Sequence, residues 1–173
     1  IAFCIYSLFI TSVECHSRIL LAGICNESPD HREIYINLVN EILLCTNKPG
    51  IYPVEESCST LTMGFWFMLQ DEVARSRCLE AIRPVYGHLV KILVRKSQLP
   101  DEGNIGKWNS DDLETFRCYR QDIADTLLCC FDVLHVQILK FLGETLDKGI
   151  AAIQADILNW PILEAAIHGF CAI

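Results

Sequence analysis

Apolar residues recur along this chain every three to four positions, in long runs parted by short polar breaks. That is the period of amphipathic helices and not the alternation of strands. A first run covers about Ile1 to Glu14 and a second His16 to Cys25. Ser28 and Pro29 read as an N-cap and first helical residue, opening a helix with Ile34, Leu38, Ile42 and Cys45 on one stripe. Asn47-Lys48-Pro49-Gly50 stops it, and Pro53 is expected to keep the next segment extended. Residues 57–73 read as a helix striped by Leu61, Phe65, Met68 and Leu69. Trp66 and Val73 widen its apolar surface, so it must touch neighbours on more than one side. After a turn over residues 71–76, Leu79, Ile82, Tyr86, Leu89 and Leu93 mark the partner helix, with Pro84 predicting a kink or the true start.

Residues 99–109 form a polar loop, and Asn109 or Ser110 caps the next helix. Asp111, Asp112 and Glu114 sit in its first turn against the positive end of the helix dipole. Its stripe is Phe116, Tyr119, Ile123, Leu127, Phe131 and Leu134; a partner carries Ile138, Leu142 and Leu146 and is expected to loosen around Gly149. Asn159-Trp160-Pro161 starts another helix. Outgoing helices thus begin near Ser57, Ser110 and Trp160, a repeat of about fifty residues. The expected fold is all-α: a superhelix of HEAT or armadillo-like repeats with about three helix hairpins, divided as 1–46, 57–98, 110–150 and a further start at 160. Each hairpin hides its apolar face only by stacking on its neighbours, and such arrays mostly bind other proteins. The chain opens on Ile1 inside a helical pattern and stops within another, so it reads as part of a longer protein.

The composition, 51% hydrophobic and 21% charged, excludes disorder as the main state. No run reaches the roughly 18 apolar residues that span a bilayer. Ile1 to Val13 lacks the basic start and the cleavage site of a signal peptide, which leaves a buried helix. The ten cysteines are scattered without a C-x-x-C pair, the use of cysteine as a small hydrophobe in a reducing compartment. Net charge is −8 but unevenly spread: −4 over residues 1–56, +3 over 57–96 and −7 over 97–173. An acidic chain is a poor nucleic-acid binder, since phosphate contacts dominate that affinity.

Arg75, Arg77, Arg83, Lys91, Arg95 and Lys96 make the basic segment. They are either a solvated helix face or a binding surface; Arg83, Lys91, Arg95 and Lys96 are the candidate protein-binding residues. Other chemistry is weaker. Asp111, Asp112 and Glu114 with Asp122 and Asp125 would suggest a magnesium-diphosphate enzyme, but Thr115 stands where a DDxxD pattern needs an acid, and helix-start acids have a capping use. Cys129, Cys130 and His135 fall short of the four ligands of structural zinc. Arg117 and Arg120 are expected to pair with acids on their own helix or the next. No catalytic group, metal or cofactor is assigned, and the chain is not read as an enzyme.

A series of segments carries a resemblance. It runs through Ile51-Tyr52-Pro53-Val54, Ser59-Thr60-Leu61-Thr62, Phe65-Trp66 and Leu69-Gln70-Asp71, then Arg83-Pro84-Val85-Tyr86, Leu89-Val90, Lys96 and Leu99-Pro100. It ends with Trp108-Asn109-Ser110-Asp111, Phe116-Arg117, Tyr119-Arg120, Asp122-Ile123 and Asp125-Thr126-Leu127. In order and spacing these resemble the importin-β (karyopherin) superfamily, in the branch shared by importin-13 and transportin-3. The resemblance implies a nuclear transport receptor that shuttles between cytoplasm and nucleus and binds cargo proteins, the small GTPase Ran in its GTP form, and nucleoporins. It implies no direct nucleic-acid or membrane partner, and a place in the N-terminal half to middle of the array. The second helix of each pair would line the concave side, which puts the helix of Leu79 to Lys96 inside. The alternative is a helical-repeat scaffold with no link to Ran.

Overall fold

The computed structural model describes residues 2–74 and 78–173, and among these it holds nine α-helices and no strand. Helix α1 is Ala2–Cys15, α2 Ser17–Ile24 and α3 Pro29–Thr46. A 3-10 turn at Ser59–Thr62 leads into α4, Met63–Ala74. Then come α5, Leu79–Lys96, the single turn α6, Glu102–Ile105, and the long α7, Ser110–Leu134. Helix α8 is Gln137–Ala155, and α9 is Trp160–Ala172. Each helix meets its counterpart one pair further along. Helix α4 lies against α1 and α7, α7 against α9, and α5 between α3 and α8.

The stripes of α5 and α7 turn inward as the periodicity predicts. Ile82, Tyr86, Leu89 and Leu93 are wholly buried, as are Ile123 and Leu127. Trp66 and Phe65 on α4 are also without exposure, and their rings meet edge-on at 5.1 Å between centroids. The Trp66 indole N–H donates to the Thr46 hydroxyl at 3.1 Å, and the Tyr86 hydroxyl donates to the Trp66 carbonyl at 3.0 Å. This buried tryptophan has a partner for its one donor, as its burial requires.

Several expectations are corrected. The helix foreseen from residue 57 begins as the tighter 3-10 turn, and α4 proper starts at Met63. Pro53 follows a cis peptide and lies in a turn closed by the Glu55 N–H on the Ile51 carbonyl, not in an extended strand-like segment. Ser28 does stand at the N-cap of α3 with Pro29 at its first position, as foreseen, but without a side-chain cap bond; its own N–H donates to Asn26 Oδ1 at 2.9 Å. The α3 stripe is kept only in part: Ile42 and Cys45 are buried as foreseen, but Ile34 is 58% exposed, and Val39, Leu43 and Thr46 are buried beside them. Of the two readings of Pro84, the helix start is excluded: α5 begins five residues earlier at Leu79 and carries the proline inside it. The chain does not loosen at Gly149. There α8 comes so close to α9 that an added Cβ would lie 2.7 Å from the Leu163 Cα.

Cys25 and Cys78 stand as a disulfide with Cα atoms 5.2 Å apart, against the expectation that all ten thiols are free. The end of α2 and the start of α5 converge there, a juxtaposition of residues 53 apart that spacing does not reveal. Cys45, Cys58, Cys129 and Cys130 are free and buried, the hydrophobe-like use foreseen. No described helix is long and apolar enough to cross a membrane. Arg75 and Arg77 of the basic segment lie outside the described residues.

Candidate protein-binding surface on helix α5

Helix α5 buries most of its circumference and leaves a narrow outer strip of Glu80, Pro84, His88, Lys91 and Arg95. Its first turn holds Glu80 and its last Arg95 and Lys96, the charge order a helix dipole favours. Arg83, at the edge of the strip, donates from Nε to the Val133 carbonyl of α7 at 3.4 Å and pairs with Glu80 at 2.5 Å. Lys91 reaches across to α8 and sets its Nζ 5.0 Å from the centre of the Phe141 ring, a cation–π contact. Arg83, His88 and Lys91 line one groove of about 390 Å³, together with Gly87, Leu134 and Phe141.

Arg95 and Lys96 belong to a different place. Arg95 donates to Asn47 Oδ1 at the end of α3. Lys96 Nζ forms an ion pair with Glu56 Oε1 at 2.9 Å and donates to the carbonyls of Lys48 and Gly50. The Lys96 and Glu56 side chains are 8% and 2% exposed, so this ammonium is enclosed by the loop that joins α3 to α4. Glu56 Oε2 accepts from the N–H groups of Cys58 and Ser59 at 2.8 and 3.0 Å. The Ser59 hydroxyl donates to the same carboxylate, which leaves the Tyr119 hydroxyl of α7 as donor to Ser59 Oγ at 2.7 Å. Burial, first of all, pushes the Tyr119 hydroxyl up from its ordinary pKa, so it stays protonated as that role demands.

The structure therefore divides the four candidate residues. Arg83 and Lys91 share a groove, Arg95 stands at the strip's far end, and Lys96 is committed to Glu56. Sequence reasoning missed Phe141 and Gly87, which shape the groove; a Cβ at Gly87 would meet the Phe141 ring at 3.2 Å. The signal available for Gly87 was a glycine in mid-helix, which marks a close approach. Glu56 offered no signal, since its partner stands forty residues on and in another element.

Asp111 and Asp112 lie in the first turn of α7, where Asn109 Oδ1 accepts the Asp112 N–H at 2.8 Å. Glu114 pairs with Arg117 at 2.8 Å on the open surface, and that hydrogen bond lowers its carboxyl pKa. Arg120 instead bridges to Glu164 of α9 at 2.5 Å. Burial raises the Cys129 thiol to about 11 and pushes Cys130 well above its usual value, opposite to what a thiolate nucleophile needs. Among the described residues, no three acids, histidines or cysteines gather where they could hold a metal ion.

A family model described as Importin 13 repeat matches residues 98–137, which take in α6 and the whole of α7. Over 166 residues the chain is 37% identical to importin-13 of Homo sapiens, and to the same degree to importin-13 of Mus musculus and of Gallus gallus. Each match takes in 92% of this chain and 17% of the relative, so the chain spans about a sixth of the length of these curated relatives. A solved structure of importin-13 in its cytosolic state superposes with a TM-score of 0.93 at 53% identity, over 99% of this chain and 20% of that one. The stacked pairs described above are thus a stretch of an importin HEAT-repeat solenoid. On its sequence and its fold together, the chain belongs to the importin-β family.

Proposed function

We propose that this chain supplies a stretch of the protein-binding wall of a shuttling receptor, one that carries cargo proteins between cytoplasm and nucleus and binds Ran-GTP. The observation that supports the reading best is the superposition on importin-13 along nearly the whole chain. In this reading residues 1–46, 57–98 and 110–150 are successive repeats, with another starting at 160. The outer strip of α5 faces the concave groove, and Arg83, Lys91 and Arg95 meet acidic partner surface. Lys96 contributes from beneath, by holding the α3–α4 loop in place.

No catalytic group is required. Small rotations between neighbouring helix pairs add along a solenoid and change its curvature. Ran-GTP and import cargo exclude one another when they prefer different curvatures, a coupling free energy between two sites. Contacts with nucleoporins would carry the loaded receptor through the pore. The test is capture of the full-length protein on immobilised Ran, loaded with GDP or with a non-hydrolysable GTP analogue. Tight binding of the GTP form alone is expected. Equal retention on both forms overturns the reading and leaves a helical scaffold with no link to Ran.

A further inference from the structure

We propose that the groove between α5 and α8 takes an acidic protein segment that lays one apolar side chain on Phe141 while its carboxylates meet Lys91 and Arg83. This deepens the reading above by naming the chemistry of a partner, and it rests on that reading only for the identity of the receptor.

The groove is built by a close helix approach. Gly87 leaves room for the Phe141 ring, which would lie 3.2 Å from any Cβ at that position. The ring, with Leu134 and Pro84, gives this groove of about 390 Å³ an apolar floor. Lys91 is exposed and poised over the ring at 5.0 Å, so a carboxylate beside the floor reaches its ammonium without moving it. Arg83 stands two turns away, about 12 Å along the helix. Its present partner, Glu80, has a side chain 79% exposed against 27% for Arg83, so the open Glu80 can swing aside for a better-placed carboxylate. Glu80 is the single acid among the groove's lining residues.

Charge complementarity decides the class of occupant. The groove's basic rim lies in the +3 stretch of residues 57–96, flanked by stretches of −4 and −7. A nucleic acid, with charge along its whole length, would run from that rim into acidic surface. A protein segment can confine its carboxylates to the groove, within a screening length of about 8 Å.

The test uses the full-length protein and a fluorescein-labelled peptide of glutamates with a central leucine, read by anisotropy. The expected result is saturable binding that weakens steeply with salt, and at least a tenfold loss in the double variant Arg83→Glu, Lys91→Glu. Lys91 is on the outer face and Arg83 at its edge, where the variant also loses the bond to the Val133 carbonyl, so far-ultraviolet circular dichroism of the variant checks that helicity is kept. A second arm replaces the peptide's glutamates by lysines, and this probe should prefer the variant. No binding by the wild type, equal binding by wild type and variant, or equal binding of a peptide with serine for leucine overturns the proposal. Displacement by a single-stranded oligonucleotide at matched charge as effective as by the peptide overturns the commitment to protein. Preference for Ran-GTP is measured on the same samples. Peptide binding that survives with no Ran preference refutes the receptor reading and not the groove, and the converse refutes the groove alone.

Discussion

Lys96 shows how far a charged residue's role depends on one distant neighbour. In sequence it closes a basic run and invites a place on the binding surface. In the fold it is enclosed with Glu56, and it gathers two loop carbonyls as well. A buried pair of this kind adds little over an apolar substitute, but breaking it strands a charge at roughly 3–5 kcal/mol. Lys96→Met is therefore expected to lower the unfolding free energy measured in urea by that order, and adding Glu56→Gln should recover part of the loss. A Lys96→Met variant as stable as the wild type would return Lys96 to the surface strip. Trp66 was legible by contrast, because a large ring on a helix apolar over most of its circumference has nowhere to go but inward.

At the level of elements, periodicity located helices well and misjudged their joints. The stripes of α5 and α7 were readable because nearly every residue on them is apolar, so burial follows from the helical period alone. The α3 stripe was not, since apolar residues stand on several sides of that helix and the packing of α2, α5 and the 3-10 turn at Ser59–Thr62 selects Val39 and Leu43 over Ile34. Gly149 is the sharper case. A mid-helix glycine lowers helix propensity, which suggested loosening, yet here it admits the backbone of Leu163. Gly149→Ala would improve propensity and still force α8 from α9, because the atoms it meets are main chain. The expected result is a destabilisation of about 1–3 kcal/mol in chemical denaturation. A gain in stability, the outcome for an open helical glycine, would show that the two helices do not approach so closely.

For the whole molecule, the groove between α5 and α8 could not be read from the sequence, since Arg83, Lys91 and Phe141 come together only when one helix pair stacks on the next. The same stacking joins Cys25 to Cys78 across two pairs. Alkylation of the denatured protein without reductant should mark eight of its ten cysteines, and all ten after reduction. Ten labels before reduction would show an open dithiol. Closing so long a loop contributes about 2–4 kcal/mol, so the oxidised form should also unfold at higher denaturant.

The Glu56, Ser59 and Tyr119 knot ties the loop before α4 to α7 with bonds that hold only at set angles. At the other end α8 meets α9 through Gly149, Leu142 and Gly169, where added bulk would collide. The two ends are thus held by different means, directional bonds at the first and close-fitting apolar surfaces at the second. A rotation between repeats would have to break hydrogen bonds at one and open voids at the other.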